Sequence, residues 1–412
     1  VAVPIPGNAQ RVVITGLGVI SALGLNRAEF WQSLESGKSG ITPLPTFEQG
    51  PIRFKNAASI QGYDRDAHFP DKNVALMDRA AQLAVVAARE AVAQAGVQWT
   101  DELRASAAIV TGCCMGGRAV EEVGYWEMYR LGKPRVNPLT IPLSMESAGA
   151  SHISIEYGIQ GPTYTVSTAC SSSAHAIGQA FWMVRSGSAP MALAGGSEAP
   201  LFFGGLKAWE AMRVVSPDTC RPFSADRTGM VLGEGGAMLV LETLEGALAR
   251  GAKPIAEIAG FGMSSDASHM TQPSPEGAGR AMRAALNDAR LNPEQVGYVN
   301  AHGTATEAND RVESAAIRLV FGDYADNGLA ISSTKSMHAH TFGAAGAVEA
   351  VVTALALEHG VLPPTINFNS VDPACGLDVI PNQARTKKVD AALSNSFAFG
   401  GLNAVLAFKA YR

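Results

Sequence analysis

The sequence predicts an α/β protein made of two βαβ-rich halves around one shared core. Helix-like and strand-like stretches alternate along the chain, as layered α/β folds require. The order of elements in the first half recurs in the second. The 412 residues are 47% hydrophobic and only 17% charged, which supplies a large core and excludes a disordered chain.

The elements follow in order. Ala75 to Gly96 reads as a small-residue helix with Gly96 as its C-terminal stop. A β-like run, Ala107 to Thr111, then opens into the loop Gly112-Cys113-Cys114-Met115-Gly116-Gly117. Much later, a helix from Gly279 to Leu291 and a strand from Val296 to Asn300 lead to the polar loop Ala301-His302-Gly303-Thr304-Ala305-Thr306. A second pair of units also corresponds. Thr163 to Thr168 leads through Ala169-Cys170 to a helix, Ser173 to Arg185, closed by Gly187. Leu329 to Thr334 leads through Lys335-Ser336-Met337-His338-Ala339-His340 to a helix from Ala344 to Glu358, closed by Gly360. The repetition indicates an internal duplication. Glu242 to Pro254 is the best seam, dividing the chain into halves 1–250 and 251–412. The first residues, with Pro4 and Pro6, read as a loose tail.

Composition excludes several function classes. A net charge of −5 without like-charge blocks argues against a nucleic-acid partner. Five scattered cysteines do not make a disulfide framework and fit a reducing, cytoplasmic setting. No uninterrupted apolar run has the length of a membrane span, and Val12 to Leu23, broken by Gly16 and Gly18, is no signal core. The glycine runs Gly233-Glu234-Gly235-Gly236 and Gly400-Gly401 lack the strand–helix context of a phosphate loop. No CxxC or HExxH spacing supports a metal site.

Cys170 is the strongest single lead. At a helix N-terminus the macrodipole favours thiolate and lowers the thiol pKa, and backbone N–H groups there hold an oxyanion. An inert buried cysteine is an equally good reading of its position alone. His302 and His340 each end a strand-and-loop unit, and loops at one end of a shared sheet converge, so one cysteine and two histidines can meet in one pocket. Glu349 interrupts an apolar helix and must pair or reach solvent. A Lys335–Glu349 pair lining the site is one reading; a solvated helix face is slightly favoured by the residues alone.

These residues carry a resemblance. The chain resembles the β-ketoacyl-acyl carrier protein synthases, synthase II type, of the thiolase superfamily. The markers are Val13-Ile14-Thr15-Gly16-Leu17-Gly18, Thr168-Ala169-Cys170-Ser171-Ser172, Arg221-Pro222-Phe223 and Gly233-Glu234-Gly235. Further on come Ala301-His302-Gly303-Thr304, Asn309-Asp310, Ser333-Thr334-Lys335-Ser336, Gly343-Ala344-Ala345-Gly346 and Asn395-Ser396-Phe397. The resemblance implies a thiolase fold, two pseudo-duplicated halves in five αβαβα layers, acting as a homodimer. It implies decarboxylative Claisen condensation between an acyl thioester on Cys170 and a malonyl-acyl carrier protein. It makes His302, His340 and Lys335 catalytic, gives Glu349 to Lys335 as support, and forms the oxyanion site from the N–H groups of Cys170 and Phe399. Phe399, in Phe397-Ala398-Phe399-Gly400-Gly401, matches a gate, Thr304 and Thr306 hold the pantetheine arm, and Trp209, Met115 and Phe397 contact substrate. Phosphopantetheine arrives on the acyl- or malonyl-loaded carrier, so no bound cofactor or metal is implied.

The departures from the family pattern point to a specialised member. His338-Ala339 stands where Thr-Gly is usual, adding an imidazole near the entrance that is read as space-filling. Ala398 interrupts the gate where glycine is usual, Leu402 replaces a threonine, and Met115 floors the acyl pocket beside Cys113-Cys114. Thr140 aligns with an aromatic that a partner subunit inserts into that pocket. The carrier-docking stretch reads Asp71-Lys72-Asn73, then Asp78-Arg79, with Arg213 further on. The alternative reading is a non-catalytic chain-length partner of a heterodimeric ketosynthase, which the presence of Cys170 disfavours.

Overall fold

The computed structural model describes residues 10–70 and 72–412. The tail with Pro4 and Pro6, and Asp71 of the docking stretch, lie outside the described residues. Ten strands form the principal sheet: β1 Val12–Ser21, β2 Ala108–Gly112, β3 Thr163–Val166, β4 Met191–Glu198, β5 Gly235–Thr243, β6 Ala256–Ser265, β7 Tyr298–Asn300, β8 Ala330–Ser332, β9 Ala391–Ala398 and β10 Leu402–Ala410.

Their order across the sheet is β8-β7-β9-β10-β6-β1-β5-β4-β2-β3. Read from either edge inward, each half gives its third, second, fourth, fifth and first strand. Pairing directions repeat as well. β2 runs parallel to β3 and β4, as β7 does to β8 and β9, and the remaining pairs within each half are antiparallel. The duplication suspected from element order is therefore a duplication of topology. The halves join where Val12–Ile14 of β1 pair antiparallel with Ala256–Ile258 of β6.

Six helices complete five layers. α1 (Arg79–Ala95) and α2 (Ala148–Tyr157) cover the first half, and α4 (Pro275–Ala289) and α5 (Glu307–Phe321) cover the second. Between the halves lie α3 (Ser172–Arg185) and α6 (Ala345–His359), packed on each other and on strands of both. α1 starts on the Asp78 side chain, which accepts from the N–H groups of Ala80 and Ala81, and stops at left-handed Gly96. Its alanines let it lie against β1. A Cβ on Gly16 would sit 2.0 Å from the Ala91 carbonyl oxygen, and one on Gly18 1.9 Å from that of Ala87, so only glycine fits either position. All ten residues of β1 are buried, which explains an apolar run that could pass for a signal core.

One expectation changes. Phe342–His359 is a helical stretch long and apolar enough to cross a membrane, but 89% of it is buried inside the protein. A helix apolar on every side belongs to a layer covered on both faces.

Candidate active site

Cys170, His302, His340, Phe397 and Phe399 line one cavity of about 120 Å³, with Trp209, Thr304 and Thr306 along its walls. Cys170, His302, His340 and Phe399 arrive from turns that follow strands, Phe397 lies near the end of β9 itself, and Trp209 comes from the helix Phe203–Met212. Cys170 sits in a 3-10 turn, Ala169–Ser171, between β3 and α3. Ala169 is held at φ 51°, the left-handed region a residue with a Cβ seldom adopts. The Ser172 hydroxyl ties the turn, donating to the Ala169 carbonyl (2.6 Å) and accepting from the Thr168 N–H (2.9 Å).

The expectation of a lowered Cys170 pKa is reversed. Burial pushes the thiol up to about 12, while the Lys335 charge and the N–H groups of Cys170 and Phe399, both directed at the sulfur, pull the other way. Desolvation of a thiolate in an enclosed site outweighs the helix N-terminus. The resting nucleophile is a thiol, facing the two N–H donors expected of an oxyanion site.

His302 follows β7 in a turn fixed by Glu313 of α5. One Glu313 oxygen accepts from the His302 N–H (2.8 Å) and the other from the Gly303 N–H (2.7 Å). Lys335 Nζ lies 3.4 Å from His302 Nδ1. An ammonium only donates, so Nδ1 is the acceptor and Nε2 carries the hydrogen. The Phe342 N–H donates to His340 Nδ1 (3.2 Å), which assigns the same tautomer to His340. Burial, then the nearby Lys335 charge, holds both imidazoles well below the ordinary histidine range, so both are neutral donors.

Lys335 and Glu349 are both fully buried and ion-paired, which overturns the solvated-face reading of Glu349. Two apolar layers enclose α6, and a carboxylate there persists only with a partner. Burial raises Glu349 to about 7, opposed by Lys335.

Other expectations are corrected. His338 is not near the entrance: it is fully buried, 3.0 Å from Thr334 Oγ1 and 2.8 Å from the Ala339 carbonyl. Burial lowers it to about 3. Met115 does not line the cavity; its N–H donates to Glu198 (3.1 Å). Thr140 is buried in its own chain, bonded to the Asn137 carbonyl (2.7 Å), and does not project outward. Asp78 and Arg79 are not free for docking, since Asp78 caps α1 and Arg79 pairs with buried Glu234 (2.6 Å). Ala398 carries no strain at φ −120°, ψ 156°; the left-handed residues of the gate are Gly400 (φ 83°) and Gly401 (φ 70°). Thr306 caps α5 and pairs with Thr304 (2.9 Å between hydroxyls).

Two carboxylates went unnoticed in the sequence. Glu313 shares a helical face with Ala316 and Ile317, the signal that marks it as buried. Glu198 ends a strand of otherwise small and apolar residues. It accepts from the N–H groups of Cys114 (2.8 Å), Met115 (3.1 Å) and Gly343 (3.2 Å) and from the Cys114 thiol (3.0 Å). Burial raises it despite those donors. Among the described residues, no group of three or more His, Cys, Asp and Glu side chains is arranged to hold a metal ion.

A duplicated, five-layered α/β fold with a cysteine and two neutral histidines in one cavity defines a condensing enzyme of the thiolase superfamily. The chain belongs to the β-ketoacyl synthases: the family's N-terminal domain matches residues 9–247 and its C-terminal domain residues 255–369. It is 48% identical to Nodulation protein E of Rhizobium sp. (strain N33), over 97% of this chain and 99% of the relative. It is 39% identical to 3-oxoacyl-[acyl-carrier-protein] synthase 2 of Staphylococcus aureus (strain N315), over 98% and 99% of the two chains. Among solved structures, the ishigamide ketosynthase/chain length factor superposes with a TM-score of 0.94 at 38% identity, covering 98% of this chain and 100% of the other.

Proposed function

We propose that the protein extends an acyl chain by two carbons, with Cys170 as acyl acceptor and His302 and His340 as the enolate-stabilising donors. The observation that carries this is one cavity holding a thiol under two N–H donors and, beside it, two Nε2–H imidazoles.

The chemistry follows. An acyl group arrives as a thioester on the phosphopantetheine of an acyl carrier protein, the carrier named for the Staphylococcus relative. Cys170 loses its proton as its sulfur attacks, the oxyanion takes the N–H groups of Cys170 and Phe399, and the carrier thiolate leaves and is protonated. A malonyl-carrier thioester follows. Its carboxylate leaves as carbon dioxide, and the bonding pair becomes an enolate whose oxygen accepts from His302 and His340. The enolate carbon then attacks the acyl carbonyl, releasing Cys170 and the 3-oxoacyl-carrier. Lys335 and Glu349 hold His302, and Thr304 and Thr306 face the pantetheine arm. No bound cofactor enters these steps.

A homodimer is part of this reading. Support comes from β3, which ends the sheet with an edge unpaired among the described residues, and from exposed Tyr129, Leu131 and Ile141 on the segments after β2. The departures at His338-Ala339, Ala398 and Leu402 support a specialised member with its own acyl chain.

The test is intact-protein mass spectrometry after incubation with a panel of acyl-carrier thioesters, beside Cys170→Ala. A gain of one acyl group, absent in the variant, is expected and identifies the preferred chain. No adduct from any chain would turn the assignment to a non-catalytic chain-length partner.

A further inference from the structure

His340 stands at the end of a strained turn. The helical turn Lys335–His338 closes on Ala339, whose N–H donates to the Lys335 carbonyl (2.9 Å). One residue further on the backbone is pinned again. The His340 N–H donates to the Val231 carbonyl (2.8 Å), and the His340 carbonyl accepts from the Gly233 N–H (2.9 Å). Ala339 has to join these two fixed ends, and it does so at φ 60°, ψ −171°. That region belongs essentially to glycine, because a Cβ there crowds the backbone. Ala339 is fully buried, with its methyl among Ala58, Cys220 and Val231. A conformation so costly persists only where something holds it.

We propose that His338 is a positioning residue that braces this strained peptide and so fixes His340 for the enolate step. The proposal rests on the reading of His340 as an enolate-stabilising donor. His338 Nδ1 lies 2.8 Å from the Ala339 carbonyl, and Nε2 lies 3.0 Å from Thr334 Oγ1. A carbonyl only accepts, so Nδ1 carries the hydrogen and Nε2 accepts from the Thr334 hydroxyl. The imidazole therefore spans the turn, from the residue before its first to the carbonyl that leads into His340. Its foot is firm, because Thr334 is fully buried and its own carbonyl accepts from the Met337 and His338 N–H groups (2.9 and 3.1 Å). Both ring nitrogens are engaged and no part of His338 is exposed, which leaves the ring no direct part in the chemistry.

The departures at positions 338 and 339 are then one change. Alanine at this φ and ψ needs a support that glycine does not, and the imidazole supplies it. Among the described residues, His338 is the sole hydrogen-bond donor to the Ala339 carbonyl. Without it that buried acceptor is bare, so the peptide turns to find a partner and relaxes toward negative φ. The His340 ring moves with it. Acyl transfer draws on the N–H groups of Cys170 and Phe399 and not on His340, so the two half-reactions report on the brace separately.

The experiment measures acylation of Cys170 by intact mass and carbon dioxide release from malonyl-carrier thioester on the same samples. His338→Gln keeps an amide near Thr334 and loses the Nδ1 donor; His338→Asn puts an N–H where Nδ1 stood. His338→Gln is expected to slow carbon dioxide release by about tenfold or more while Cys170 still takes an acyl group. His338→Asn is expected to stay within about threefold of wild type in both steps. The deciding arm adds Ala339→Gly. In that background His338→Gln is expected to cost less than about threefold in release, because glycine holds the turn unaided. An equal loss with and without Ala339→Gly overturns the proposal, as does release unchanged in His338→Gln. Loss of both half-reactions in His338→Gln and His338→Asn alike also overturns it, because the ring then serves the fold and not His340. His340→Ala is the reference: release unchanged in that variant overturns instead the reading on which the proposal rests.

Discussion

His302 and His340 present their rings at 87° with centroids 5.4 Å apart, each with Nδ1 occupied and Nε2 left as the donor. Their Nδ1 partners are unrelated, an ammonium for one and a backbone N–H for the other. The same tautomer in both points to one shared acceptor, an oxygen that gains negative charge during reaction. Replacing either histidine by alanine is expected to slow decarboxylation by about 10²–10³-fold, as loss of one oxyanion donor does, while Cys170 still takes an acyl group. Carbon dioxide release and intact mass on the same samples separate the two steps.

Cys170 is held at about 12 by burial. Thiolate content therefore rises with pH across the whole accessible range. Alkylation of Cys170 by iodoacetamide, followed by peptide mass, is expected to increase steadily from pH 7 to pH 10 with no plateau. A plateau reached near neutrality would mean a preformed thiolate and would contradict the burial argument.

The Lys335–Glu349 pair sits in the central layer with neither side chain exposed. Lys335→Met strands a buried carboxylate and is expected to cost about 3–5 kcal/mol in urea unfolding. Adding Glu349→Leu removes the stranded charge and is expected to recover much of that stability without recovering activity. Recovery of stability without turnover distinguishes a role at His302 from one in folding alone.

His338 stays neutral in the folded protein because burial lowers it to about 3, whereas in the unfolded chain it titrates near its ordinary value. Between those values only the unfolded state binds the proton, so this residue's stabilising contribution is present above about pH 6.5 and is lost as pH falls. His338→Gln has no such proton to bind. The stability gap between wild type and the variant is expected to shrink by about 2 kcal/mol from pH 7.5 to pH 5, measured by chemical denaturation. A gap independent of pH would show that His338 is not neutral in the folded state.

Much of the fold was legible because its signals are local. Small-residue helices with left-handed glycine stops, β-branched runs and the polar loops after them stand within a few residues of one another. Their repetition along the chain anticipated a strand order that does repeat. Cys170 at a strand-to-helix turn and the histidines of two corresponding loops could be picked out on the same grounds. Glu198 and Glu313 left only faint traces, an acid at the end of an apolar strand and one on the buried face of a helix.

By itself, then, the sequence determined the elements, their duplication and the cast of reactive side chains, since each depends on neighbours along the chain. The tertiary structure decided their states. Cys170 became a thiol where a thiolate was expected, Glu349 an enclosed partner of Lys335, and His338 a neutral core residue. The physical reason is the same in each case. Desolvation depends on which remote segments close over a group, and the layers that enclose α3 and α6 are assembled from both halves of the chain.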